Sequence, residues 1–285
     1  MLPLVPAWAA SSQHPAEVTG LVVPLYGQLT QIHPVTGEWA QLIDARRSNP
    51  SVPIVAIVNP ANGSGAEQNP GYAEAIGELR TAGVVVLGYV STLQAQRPIF
   101  SVQAEIVDYR FWYHVDGIYF DQMPQQPGNE SYYSGMTTFA KSLGMSMAMG
   151  NPGAATSSSY IGTVDTLIVY ENGTVPSLAY LASWDRAGIG KESFAFIANE
   201  VPRLNETYID QAARLVGFMF ISSSGSYFTL PSYFSQEAGM LRSLAPGRGG
   251  ASPLSGTTVF AAVEVGGPLA LRSAWMSARS KGTAR

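Results

Sequence analysis

The chain has 285 residues, 46% of them hydrophobic and 13% charged, with 16 Lys and Arg against 20 Asp and Glu and a formal net charge of -4. That apolar share supports a sizeable core and excludes a disordered chain, and the acidic balance excludes a nucleic-acid partner, which needs a basic face. No cysteine is present, so disulfide scaffolds, thiolate metal sites and cysteine nucleophiles are excluded; three scattered histidines, His14, His33 and His114, predict no metal centre and no cofactor.

Residues 1–19 open on an apolar stretch in which Ala7-Trp8-Ala9 has the small-x-small form of a secretory cleavage site. The segment reads as the remnant of an export signal, and a secreted or cell-surface protein is expected. No run reaches the length that spans a bilayer.

From residue 20, short apolar runs alternate with amphipathic stretches. The runs cover 20–26, 52–59, 84–90, 117–122, 145–151, 166–171, 193–200 and 217–223. They are continuous and rich in β-branched and aromatic residues, as strands buried on both faces of a parallel sheet are. Helices are predicted at 36–48, 69–82, 101–115, 131–143, 176–187, 206–216 and 231–244. Asn69 caps the second of these ahead of Pro70, and Gly83, Gly144 and Gly188 act as stops. The stretch 157–164 after the fifth run is short. This strand–helix alternation predicts an α/β fold, a (β/α)8 TIM barrel over residues 20–245. A doubly wound open sheet competes, but near-equal units and the lack of a Gly-rich phosphate loop favour closure. Residues 246–285 read as a linker (247–250), one strand (257–265) and a basic end from Arg272, an extension of no assigned role.

Reacting groups in such barrels sit at the C-terminal ends of the strands. Those ends carry Tyr26, Asn59, Tyr89, Asp121 with Gln122, Asn151, Glu171 with Asn172, Asn199 with Glu200, and Ser222 to Ser224. Amides and phenols beside aromatic rings suit sugars, whose hydroxyls take bidentate partners and whose C–H faces stack on rings. Carboxylates at separate strand ends suit glycosidic cleavage. Asp121 and Glu171 each close an apolar run, where packing alone does not call for a charge. Glu200 precedes Val201-Pro202, so plain exposure to solvent is the competing reading. Asn59-Pro60 and Asn151-Pro152 stop their strands and fix each Asn at the rim. Arg97 either reaches the cleft or pairs with an acid in the third loop. Asp116 and Asp165 precede strands and read as turn residues of the opposite face. Trp39, Trp112 and Trp184 fall at apolar helix positions and read as helix–barrel packing. Sequons at Asn62, Asn129, Asn172 and Asn205 are taken as chance matches.

The segments VVPLY (22–26), AIVNPANGSG (56–65), LGYVST (87–92) with Arg97, GIYFD (117–121), GNPG (150–153) and VYE (169–171) occur in that order. Together they resemble the spherulin-4-like family of glycoside hydrolases, glycoside hydrolase family 135 and relatives, over about residues 20–244. The resemblance implies a (β/α)8 barrel that cleaves α-1,4-linked galactosamine or N-acetylgalactosamine polymers, such as galactosaminogalactan or Pel-type exopolysaccharide. It also implies that Asp121 matches the family's catalytic Asp and Glu171 its catalytic Glu. Gln122 departs from the pattern, because members commonly carry Glu there and Gln cannot ionise. The expectation is an endo-acting retaining glycosidase with Asp121 as nucleophile and Glu171 as acid/base, roles that sequence leaves interchangeable, and with carboxyl groups about 5–5.5 Å apart. Tyr26, Asn59, Tyr89, Arg97, Gln122, Asn151, Asn172 and Glu200 are the expected substrate contacts, a polysaccharide is the expected partner, and a monomer is expected. The alternative, favoured by Gln122, is a non-catalytic sugar-binding or coat-type structural protein on the same barrel.

Overall fold

Uninterrupted runs of Val, Ile, Leu and Phe give strands with no polar face, and such strands need cover on both sides. In the computed structural model, which describes residues 18–27, 29, 35–185 and 188–244, that cover comes from closure. Eight parallel strands form a closed barrel in sequence order. They are β1 (Gly20–Leu25), β2 (Ile54–Val58), β3 (Val85–Ser91), β4 (Gly117–Asp121), β5 (Met147–Asn151), β6 (Thr166–Asn172), β7 (Phe194–Ala198) and β8 (Phe218–Ile221). Nearly every strand residue is buried.

The helices are α1 (Gly37–Ser48), α2 (Pro70–Thr81), α3 (Ile99–Asp108), α4 (Glu130–Ser142), α5 (Leu178–Ala182), α6 (Glu206–Ala212) and α7 (Phe234–Ser243). The Asn69 side chain accepts from Tyr72 N–H at 3.3 Å, and Pro70 opens α2, as expected. Gly83 stops it at a φ of +86°. Trp39 is fully buried, Trp184 is buried and Trp112 packs partly buried against the same core.

Between β5 and β6 the short stretch forms a 3-10 turn, Ser158–Tyr160. Two helical expectations are corrected. The helix predicted at 176–187 shrinks to α5, because the buried Trp184 turns in to pack on Phe194. The helix predicted at 101–115 begins at Ile99 and ends in a π-helical turn, Tyr109–Tyr113. That turn seats Tyr109 against Gly88 of β3, where a Cβ would stand 2.4 Å from the ring, so only glycine fits there.

At the N-terminal face, Asp116 accepts Val86 N–H at 3.0 Å and pairs with Arg80 at 3.0 Å, while Asp165 accepts Ala148 N–H at 2.8 Å and pairs with Lys141 at 2.5 Å. Both acids clip the preceding strand and do not face the opposite, C-terminal mouth. The chain divides into two units, Met1–Ala245 and Pro246–Arg285, and all described residues lie in the first. The apolar start, His14, His33 and the linker, strand and basic end expected after residue 246 lie outside the described residues.

Candidate active site

Strand parity decides which side chains enter the barrel mouth, since alternate residues point to opposite faces. The register pairs Tyr89 with Tyr119, Ser91 with Asp121, and Asp121 with Asn151. Those positions share the inward face, so Asp121 and Asn151 stand side by side. On β6 unbroken alternation from Ile168 would turn Tyr170 inward. A register shift between Ile168 and Tyr170 inserts Val169 as an extra residue. This bulge reverses the parity and turns Glu171 to the mouth, while Tyr170 packs outward on Tyr180. The Tyr180 hydroxyl donates to Val169 O at 2.5 Å and so satisfies the carbonyl at the bulge.

The two carboxylates meet at one amide. Asn151 Nδ2 donates to Asp121 Oδ1 at 3.1 Å and to Glu171 Oε2 at 2.6 Å. Two bonds ending on one nitrogen keep those oxygens less than ~6 Å apart. The amide cannot be turned round, because Asn151 Oδ1 accepts Gly153 N–H at 2.8 Å. A phenol closes each outer side: Tyr89 OH donates to Asp121 Oδ2 at 2.9 Å, and Tyr227 OH donates to Glu171 Oε1. Asn199 Nδ2 in turn donates to the Tyr227 oxygen at 2.8 Å. Tyr26 sets its ring edge-on between Tyr89 and Tyr227, with centroids 5.9 and 5.7 Å away.

Burial raises the Asp121 carboxyl above the usual range; its bonds from Tyr89, the Gln122 backbone and Asn151 oppose that rise, and the Glu171 charge adds to it. Burial, then the neighbouring Glu171 charge, pushes the Tyr227 phenol far up, and burial and Asp121 do the same to Tyr89. Both phenols stay protonated and act as fixed donors.

These groups line a cavity of about 830 Å³. Tyr26, Asn59, Tyr89, Gln122, Asn151, Asn172 and Glu200 all lie in its wall with Asp121 and Glu171. Arg97 does not. Its guanidinium pairs with Glu105 at 2.7 Å and donates to Ser91 O at 2.6 Å, so it is used up beneath the rim, and the pairing with an acid is the reading that holds. Asn59 Oδ1 accepts Gly63 N–H at 2.8 Å, so its turn role is real while its position is on the cavity. Gln122 has a φ of 56°, and its Oε1 accepts from the Ser91 hydroxyl at 2.8 Å. Tyr119 and Tyr227 were not anticipated. Tyr119 is interior to an apolar run, and Tyr227 lies beyond the last strand in a Ser- and Gly-rich loop, where the aromatic pair Tyr227-Phe228 was the only signal.

The family described as Spherulin4, spherulation-specific family 4, matches residues 20–241. The chain belongs to this family. Spherulin-4 of Physarum polycephalum is 26% identical over 254 residues, covering 82% of this chain and 73% of that protein. Among solved structures, Sph3 of Aspergillus clavatus in complex with GalNAc has a TM-score of 0.69 at 24% identity, covering 79% of this chain and 98% of that one. A fungal endo-beta-N-acetylglucosaminidase of glycosyl hydrolase family 18 has a TM-score of 0.52 at 12% identity, covering 80% and 98%. Both share the barrel fold. Within this spherulin-4 family barrel, no group of three or more His, Cys, Asp or Glu is placed to hold a metal among the described residues. No helix among the described residues is long and apolar enough to cross a membrane.

Proposed function

We propose that the protein is an endo-acting glycoside hydrolase that cleaves α-1,4-linked galactosamine or N-acetylgalactosamine exopolysaccharide with retention of configuration. The observation that carries this reading is the pair Asp121 and Glu171, bridged by one Asn151 nitrogen in a cavity walled by phenols and amides. The shared Asn151 nitrogen, which keeps the two nearest oxygens within ~6 Å, supports the close spacing of about 5–5.5 Å that a retaining pair needs. In the first step the Asp121 carboxylate attacks the anomeric carbon, the glycosidic C–O bond breaks, and the Glu171 carboxyl gives its proton to the leaving oxygen. In the second, Glu171 takes a proton from water, whose oxygen attacks the same carbon and releases Asp121. The GalNAc bound to Sph3 of Aspergillus clavatus supports a hexosamine as the sugar. An exopolysaccharide substrate places this work outside the cell.

The test is a reducing-end assay on galactosaminogalactan, with the product anomer read by NMR. Asp121→Asn and Glu171→Gln are each expected to lower kcat by about 10³-fold or more with the fold intact by circular dichroism. Full activity in either variant removes that residue from the mechanism, and inverted product removes the nucleophile role.

Gln122 favours a second reading, a sugar-binding or structural protein without turnover, because its amide is committed to Ser91 and cannot transfer a proton. Binding of the polymer without new reducing ends, together with cleavage gained in Gln122→Glu, would establish it.

A further inference from the structure

Glu200 stands in the cavity wall on a backbone that is unfavourable for a residue with a side chain. It follows β7 closely, and its φ is 57°, in the left-handed region. The chain is pinned on either side of it: Asn199 N–H donates to Asn172 O at 2.8 Å and Val201 N–H to Ser222 O at 2.8 Å. The conformation is therefore imposed by the two neighbouring strands, and it delivers the side chain to the cavity.

The carboxylate lies between two glycines of different loops. A Cβ on Gly173, just after β6, would stand 3.0 Å from Oε2, and one on Gly225, after β8, would stand 3.0 Å from Oε1. The absence of side chains there leaves room for both oxygens. Among the described residues the carboxylate has no hydrogen-bond or ion-pair partner. Among the described residues no Lys, Arg or His lines this cavity, and Arg97 is held by Glu105.

Glu200 is exposed to the cavity and, with Asp121 and Glu171, makes its described wall acidic, with no Lys, Arg or His among the described lining residues. Such a wall calls for a ligand that brings N–H donors and positive charge.

We propose that Glu200 recognises a protonated amine on the polymer, so that the site selects chains carrying free hexosamine over fully N-acetylated ones. This rests on the glycosidase reading of the same cavity. An ammonium group offers three N–H donors and makes a charge-assisted bond to the carboxylate. An N-acetyl group offers one N–H and no charge, and covering Glu200 with it costs desolvation without compensation.

The experiment uses the full chain with α-1,4-galactosamine oligomers of equal length, one set de-N-acetylated and one N-acetylated, near pH 6. Cleavage gives kcat/KM and calorimetry gives Kd. Wild type is expected to favour the free-amine oligomer about tenfold or more, and high salt to erode that preference. Glu200→Gln is expected to lose about tenfold of the ratio, mostly through KM, while Glu200→Asp keeps part of it. Equal kcat/KM and Kd for the two oligomers in wild type, or a ratio untouched by Glu200→Gln, overturns the proposal and leaves the glycosidase reading standing. If neither oligomer is cleaved, the glycosidase reading fails and Kd alone decides: a tenfold preference lost in Glu200→Gln upholds the role of Glu200, and equal Kd values overturn it.

Discussion

Asn151 holds two acids apart and together at once. Its Nδ2 serves both carboxylates, and Gly153 locks the amide so that no lone pair faces them. Asn151→Asp replaces that donor by a third negative charge. The expected result is a fall in kcat of about 10²–10³-fold, the scale of losing an oriented donor at a reacting centre. Steady-state kinetics checks it, and a fall below tenfold would remove Asn151 from the positioning of the pair. In the proposed mechanism the raised Asp121 carboxyl sets the acid limb of activity. A nucleophile acts only when ionised, so kcat/KM is lost as pH falls through the Asp121 value. Because burial shifts that value upward, the limb is expected above the ordinary Asp range of about 3.9. A kcat/KM profile across pH 3–7 (about that span) reads it, and full activity retained below the ordinary range contradicts the assignment.

At the scale of the element, the β6 bulge decides what the site contains. The run TLIVYEN reads as an unbroken strand, and the extra residue is invisible in its composition. The bulge is supported from outside the barrel, where Tyr180 of α5 bonds Val169 O. Tyr180→Phe leaves that carbonyl without its partner. It should cost ~1 kcal/mol of stability and lower turnover about tenfold through Glu171, although Tyr180 does not line the cavity. Thermal melting together with kcat checks this. Loss of stability with unchanged kcat would mean that the bulge keeps Glu171 in place without Tyr180.

For the whole molecule, the closing seam is one of the two barrel joints with the shortest pairing. β8 pairs with β1 at two positions, Gly20 with Phe218 and Leu21 with Met219, as few as join β5 to β6. Beyond them Ile221 N–H points toward a strand that offers it no carbonyl. Glu237 of α7 supplies the acceptor: Oε1 takes Ile221 N–H at 3.0 Å, the residue is fully buried, and Oε2 has no partner. Burial raises this carboxyl well above its ordinary value, and the Ile221 bond only partly offsets that. With the folded value above the unfolded one, stability is complete below about pH 4.3 and is lost as pH rises toward the folded value. Glu237→Gln keeps the acceptor and removes the titration. It is expected to be more stable than wild type by ~1–3 kcal/mol at pH 8, with the gap closing near pH 4. Denaturant melts at the two pH values check this; a gap independent of pH would mean that folding does not raise the Glu237 carboxyl.

Continuous apolar runs determined a parallel sheet covered on both faces, because such strands have no polar side, and near-equal units without a Gly-rich phosphate loop favoured its closure into the barrel that the structure has. Position at the strand ends was enough to single out Asp121, Asn151 and Glu171, since packing gives no reason for polar groups to close such runs. The resemblance pointed to the same two acids. Their relation to one another was not legible. It depends on Val169 reversing the parity of β6, on Tyr180 and Tyr227 arriving from distant segments, and on Arg97 being spent on Glu105. The seam acceptor Glu237 was equally hidden, as one glutamate within a helix. Composition and periodicity are set by burial, which every residue of a run reports in the same way. Register, bulges and pairings between segments are set by contacts distant in sequence, and these exist only once the barrel has closed.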